Sequence, residues 1–212
     1  MKSPQILLAD DHVLLMDAIR KLLEPEFEVV GTVSDGKALI ATAMALRPDL
    51  IVLDLGLPLL NGMDAGRRLK MLLPRARLLV VTMNEDVGIA VRALREWASG
   101  FLLKKCAGTE LLVAIREVLR GHTYVTPRMA QQLQREFIRG PELSGDKVLT
   151  RRQREVLQLL AEGLTMKEAA DMLSLTTRTV AFHKYSIMQD FNLRSNLDLL
   201  KLAIREQLVP AA

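Results

Sequence analysis

Leu50-Ile51-Val52-Leu53-Asp54 is a short apolar run of β type that ends on a carboxylate. Gln5 to Ala9, Phe27 to Gly31, Leu78 to Thr82 and Gly100 to Lys104 are runs of the same kind. Between them, Leu14 to Leu23, Gly36 to Ala45, Asp64 to Leu73, Asp86 to Trp97 and Thr109 to Arg120 place apolar residues at helical spacing. Strand-type runs alternating with amphipathic helices predict a parallel sheet covered by helices. The expectation is an α/β doubly wound, five-stranded domain over residues 1–121.

After Gly121 the pattern loses its strands and becomes helical. Thr126 followed by Pro127 reads as an N-cap with proline at the first helical position, opening a helix that runs to about Ile138. Gly140, Pro141, Ser144 and Gly145 then predict a flexible hinge reaching Lys147, so residues 122–147 are read as linker helix and hinge. Residues 148–212 read as a small all-α domain. Thr150 with Gln153, and Thr165 with Glu168, have capping-box spacing, and Gly163 stands where a helix end favours a left-handed residue. A third helix is predicted from Thr176 and Thr177 to about Asp190, and a fourth from about Ser195 to Gln207.

A chain of 212 residues suits two modest domains, and 50% apolar with 25% charged residues is ordinary for a globular protein. The longest apolar runs fall far short of the ~20 residues that a membrane helix requires. Met1 and Lys2 lead almost directly into Ile6-Leu7-Leu8-Ala9 and two aspartates, which leaves no room for a signal-peptide core; the expected compartment is the cytoplasm, with no membrane partner. The single cysteine, Cys106, has no internal disulfide partner and reads as a packing residue. Up to Arg120 there are 16 basic against 15 acidic residues, and beyond it 13 against 10. That excess is compatible with DNA binding and too small to establish it.

In an open parallel sheet, ligands bind outside the carboxyl ends of the strands. Asp10 and Asp11 follow the first predicted strand, Asp54 ends the third, Thr82 the fourth and Lys104 the fifth. Clustered carboxylates repel one another unless a cation intervenes, and an all-oxygen site suits Mg²⁺. A carboxylate is also a nucleophile toward a phosphoryl group, with a metal and a lysine neutralising the oxygens, and Asp54 is best placed for that role. Thr82 can donate a hydrogen bond to the new group. Each residue alone has a plainer use: Asp10 and Asp11 as helix caps, Thr82 with Glu85 as a capping box, Lys104 as a solvated strand end. The joint occurrence of these types at four strand ends favours the phosphoryl site.

Asp10-Asp11, Asp54-Leu55-Gly56-Leu57-Pro58 with Gly62, Thr82, and Gly100-Phe101-Leu102-Leu103-Lys104 resemble the receiver domain of response regulators, over residues from about 5 to 120. The resemblance implies Asp54 as phosphoacceptor, and Asp11, Asp54 and the Gly56 backbone carbonyl as magnesium ligands with Asp10 in support. It implies that Thr82 and Lys104 contact the phosphoryl group, and that Phe101 is the aromatic switch residue moving with Thr82. Lys105 is adjacent, but the spacing from Thr82 favours Lys104. Trp97 stands where receivers usually have a small residue; a core position is the expectation.

A helix-turn-helix places its second helix in the major groove, with one face against its domain and one toward base edges. At 100° per residue, Val180, His183, Ile187 and Phe191 share one side of the third C-terminal helix, and Arg178, Phe182, Tyr185 and Gln189 fall on the other. Arg178 and Gln189 can bond phosphates or bases, Phe182 can meet a thymine methyl, and Tyr185 can do either. Two exposed aromatics can instead form a protein interface. His183 reads as a packing residue.

Leu149-Thr150-Arg151-Arg152-Gln153-Arg154-Glu155, Gly163, Lys167-Glu168-Ala169-Ala170, Leu173, Thr179-Val180 and His183 resemble the LuxR-type DNA-binding domain. Together the two resemblances identify the chain as a member of the NarL/FixJ group of response regulators. They imply base contact by Ala181, Phe182 and Tyr185 and phosphate contact by Lys167 and around Thr177 and Arg178, with Lys184 retained at the edge of the face. The family commonly has lysine where Ala181 stands and a basic residue where Asp190 stands, which predicts a weakened salt-dependent contribution to DNA affinity. The implied partners are double-stranded promoter DNA, a sensor histidine kinase and, once phosphorylated, a second copy of the chain; RNA polymerase is left open as a further one. No enzymatic activity is expected beyond self-phosphorylation and autodephosphorylation. A haloacid-dehalogenase-type hydrolase would need a second acid two residues after the nucleophile, where Gly56 stands. A helical half that binds protein rather than DNA is the remaining alternative.

Overall fold

The computed structural model describes residues 3–139 and 149–209, without the side chains of 136–139. The chain divides into two compact units. In the first, β1 (Gln5–Ala9), β2 (Glu28–Val33), β3 (Leu50–Leu53), β4 (Arg77–Thr82), β5 (Gly100–Leu103) and β6 (Tyr124–Val125) form one sheet in the order β2-β1-β3-β4-β5-β6. All the pairings are parallel. The order turns back at β1 and β3, so the carboxyl ends of those strands border the crevice where a doubly wound sheet binds its ligand.

Between the strands run α1 (Val13–Leu23), α2 (Gly36–Leu46), α3 (Gly62–Leu72), α4 (Val87–Glu96) and α5 (Ala107–Leu119). Side chains alternate across each strand. Ile6, Leu8, Val52, Leu79, Val81 and Leu102 pack with α1 (Met16, Ile19, Leu23) and α5 (Leu111, Ala114, Ile115, Val118). Their neighbours Leu7, Ile51, Leu53, Val80 and Phe101 are completely buried on the opposite side. Covering both faces explains why the strands read as continuous apolar runs instead of alternating ones.

The expected sheet had five strands and the observed one has six. Tyr124–Val125 pairs with Gly100 and Phe101 of β5, and Thr126 continues the tie: its N–H donates to the Phe101 carbonyl at 3.1 Å, and its buried hydroxyl accepts from the Leu103 N–H at 3.0 Å. A two-residue strand is too short to carry a period of two, so no sequence pattern marks it. The strand and α6 (Pro127–Arg139), which packs on α4, lie within the stretch read as linker. The hinge expected at 140–147 lies outside the described residues.

Trp97 is 3% exposed, as a core position requires. Its ring lies on the Cα of Gly66 in α3, where a Cβ would stand 2.6 Å from three ring atoms; only glycine leaves room for the indole.

The second unit contains α7 (Arg151–Ala161), α8 (Met166–Leu173), α9 (Thr177–Asp190) and α10 (Asn196–Arg205). Both expected capping boxes form, at Thr150 with Gln153 and at Thr165 with Glu168. Gly163 adopts φ +92°, which lets the chain turn sharply from α7 into α8. Leu157, Ile187, Leu199, Leu202, Ala203 and Leu208 form one core cluster, and Val156, Leu159, Ala169, Ala170 and Val180 another. Through them α9 is held against α7 and α8. Among the described residues no helix is long and apolar enough to cross a membrane.

Candidate functional site

At the carboxyl edge of the first unit's sheet, β5 delivers Lys104 to two carboxylates. Its Nζ lies 2.7 Å from Asp54 Oδ2 and 2.8 Å from Asp10 Oδ2, with all three side chains buried. Burial alone would lower the Lys104 pKa, but the Asp54 and Asp10 carboxylates outweigh it and hold the ammonium above its ordinary value of 10.5. Lys105 points elsewhere and pairs with Glu85. The structure thus distinguishes two adjacent lysines that look alike in the sequence.

Asp54 is anchored by its own backbone turn, with Oδ1 accepting from the Leu55 N–H at 2.7 Å. Gly62 makes that turn possible: a Cβ there would lie 2.1 Å from the Asp54 carbonyl oxygen. Gly56 is close enough that a Cβ on it would be 3.4 Å from Asp54 Oδ2. Thr82 is buried at the end of β4, and its Oγ1 accepts from the Asn84 N–H at 3.2 Å. Phe101 is fully buried one strand away.

The N-cap of α4 is Asp86, whose Oδ1 accepts from the Ile89 N–H at 3.1 Å, so Thr82 and Glu85 do not cap that helix. The N-cap position of α1 is His12, which makes no side-chain cap bond; Asp10 Oδ1 accepts instead from the His12 N–H at 3.0 Å. Asp10, Asp11, His12 and Asp54 bring one potential ligand atom each within 4.8 Å of one another. His12 is the member that the strand-end reading missed. Its Nδ1 lies 2.9 Å from Asp10 Oδ1 and 2.8 Å from Asp11 Oδ1, and its position directly after the two aspartates was the available signal. Three carboxylates gathered around a half-open edge fit a hard divalent cation.

In the second unit, Arg178, Phe182, Tyr185 and Gln189 are all exposed on one side of α9, and Val180 and Ile187 are completely buried on the other. Thr176 caps the helix by accepting from the Thr179 N–H at 3.1 Å, which leaves Thr177 and Arg178 exposed in its first turn. Ala181 is half-buried at the border of the exposed stripe, Lys184 is half-buried about a quarter-turn away from it, and Lys167 is exposed at the start of α8. His183 is half-buried and meets the Phe182 ring edge-on, at 5.7 Å between centroids.

Asp190 has a structural use that its sequence position did not reveal. Its Oδ2 lies 3.1 Å from Ser186 Oγ and 3.5 Å from Gln153 Nε2, so it fastens α9 to α7.

The response regulator receiver domain model matches residues 6–116, and the model of the luxR family of bacterial regulatory proteins matches residues 147–203. The chain belongs to the NarL/FixJ group of response regulators, which join these two domains. Particular relatives span its whole length. The oxygen regulatory protein NreC of Staphylococcus carnosus is 32% identical over 214 residues, covering 97% of this chain and 99% of that protein. The RcsB response regulator of Salmonella typhimurium superposes with a TM-score of 0.64 at 28% identity, covering 95% of this chain and 97% of that one. RcsB of Salmonella enterica serovar Typhimurium, bound to promoter rprA in the presence of the phosphomimetic BeF3⁻, gives a TM-score of 0.61 at 28% identity, covering 98% and 100%.

Proposed function

We propose that this chain is a phosphorylation-switched transcription regulator, in which a sensor histidine kinase modifies Asp54 and the modified chain dimerises and binds promoter DNA through α9. The observation that carries the reading is the Lys104 ammonium bridging Asp54 and Asp10 at the carboxyl edge of the sheet. A carboxylate so placed is a nucleophile whose product charge is already countered. An Asp54 carboxylate oxygen attacks the phosphorus of the kinase phosphohistidine; the O–P bond forms, the P–N bond breaks and the departing imidazole takes up a proton.

Asp10, Asp11 and Asp54, with the Gly56 carbonyl, would hold Mg²⁺, which when bound supplies positive charge to the phosphoryl oxygens. Lys104, already within 2.7 Å of Asp54 Oδ2, transfers its contact to a phosphoryl oxygen. Thr82 exchanges the Asn84 N–H for the same group, now as a donor. The movement of Thr82 and Phe101 shifts an equilibrium that exists before phosphorylation. Dimers would then bind paired half-sites about one helical turn apart. RcsB, similar over the whole chain, has been solved on a promoter with a phosphomimetic, which supports the same order of events here. The chain acts in the cytoplasm, alongside RNA polymerase, and catalyses nothing beyond its own phosphorylation and dephosphorylation.

The test is DNA binding by the full chain to genomic fragments, with and without beryllofluoride and Mg²⁺, beside Asp54→Ala. Binding strengthened by the mimic and unresponsive in the variant is expected. Strong binding indifferent to both would remove the switch from the proposal. Absence of binding in every state would assign the exposed Phe182 and Tyr185 to a protein partner.

A further inference from the structure

The exposed stripe of α9 is unusual in what occupies its middle. Arg178, Phe182, Tyr185 and Gln189 are spaced four, three and four residues apart, so at 100° per residue they line one narrow strip. Phe182 is 69% and Tyr185 61% exposed. Ala181 borders them. Arg178 supplies a cation at the strip's N-terminal end and Gln189 an amide at the other. The surface is an apolar spot between two polar ends, and it lies on the helix that a helix-turn-helix inserts into the major groove.

Guanine is read in that groove by paired donors aimed at O6 and N7, and adenine by an amide aimed at N6 and N7. Ala181 and Phe182 offer neither. The one apolar group that any base pair presents in the major groove is the C5-methyl of thymine. The Phe182 ring meets His183 edge-on, at 5.7 Å between centroids. Arg178 and Gln189 at the two ends can bond phosphates or base edges of the same groove.

We infer that α9 reads its half-site chiefly through thymine methyl groups, with Phe182 and Ala181 forming the apolar seat, Tyr185 flanking it, and Arg178 and Gln189 reading the two ends. The inference rests on the DNA-binding reading and specifies the sequence class it selects: half-sites with thymines opposite the middle of the helix. It also gives the missing lysine at position 181 a consequence for sequence choice as well as for affinity.

The test begins with selection by the full chain, treated with beryllofluoride and Mg²⁺, from a duplex library with randomised half-sites. In the selected duplex each thymine is then replaced by deoxyuridine, which removes only the C5-methyl and leaves base pairing intact. Loss of one buried methyl corresponds to about fourfold weaker binding, expected at the central thymines with the unmodified chain and absent with Phe182→Ala, whose helix content and melting midpoint are checked by circular dichroism. Ala181→Lys supplies an ammonium and is expected to enrich guanine at the position that Ala181 faces. Selection of duplexes whose binding ignores deoxyuridine would overturn the methyl readout and leave DNA binding standing. Equal deoxyuridine losses in the unmodified chain and in Phe182→Ala would overturn the role of Phe182. Failure to select any duplex would overturn the DNA reading, and this inference with it.

Discussion

The two units hold their candidate functional side chains in opposite ways. In the first, Asp54, Asp10 and Lys104 are buried and bonded to one another, so the site is held by its own charges. In the second, Arg178, Phe182, Tyr185 and Gln189 stand in solvent, and α9 is held by residues on its far side. Chemistry on an anion needs charges preorganised in a low dielectric, where they are strong. Reading a groove needs a rigid element with a free face. It follows that substitutions at the first site should disturb folding and function together, and those on the α9 stripe should separate them.

The largest effect is expected from Lys104→Met. It leaves two buried carboxylates facing each other without a cation, which should lower unfolding free energy by about 3 kcal/mol in metal-free urea denaturation. Trp97, the single tryptophan and part of the same unit, supplies the fluorescence readout. Added Mg²⁺ should restore more stability to the variant than to the unmodified chain, and an unchanged midpoint would break the contrast between the units. Next comes a pair within one helix. Ile187→Ala empties a fully buried position and should cost about 2–4 kcal/mol. Tyr185→Ala should stay within about 0.5 kcal/mol in stability and still weaken DNA binding. If both destabilise alike, the stripe is not the free face described.

Thr165→Ala removes one half of the α8 capping box and should cost about 1 kcal/mol by thermal or chemical unfolding. The smallest effect is a titration. Burial, and then the hydrogen bond from its hydroxyl to Glu110 Oε2 at 3.0 Å, push the Tyr124 phenol from 10.0 up to about 12. The folded state therefore keeps a proton that the unfolded chain loses first. The contribution of this phenol to stability is complete below pH 10 and declines as pH rises through about 12. Absorbance titration should show a phenolate component near pH 12 that Tyr124→Phe eliminates.

Much of this was legible in the residues. The five longer strands appear as apolar runs because helices cover both sides of the sheet, and four of those runs end near a residue of the site. Gly163, Thr150 and Thr165 announced their helix ends because caps act within four residues. Lys104, which spacing favoured over Lys105, is the lysine that meets Asp54 and Asp10. Other features carried no local mark. β6 is too short for a pattern, and Thr126, which looked like a helix cap, spends its hydroxyl on the Leu103 N–H across the sheet. Asp190 looked like a lost cation, and is a strut to Gln153 and Ser186.

The order of the longer elements, the residue types at the strand ends and the two faces of α9 could be read from the residues alone, because periodicity, capping and strand termini are properties of neighbouring residues. The folded chain was needed to show which carboxylates share Lys104 and that Gly66 makes room for Trp97. Those facts depend on side chains far apart in the chain meeting at a few ångströms, and no local pattern encodes such distances.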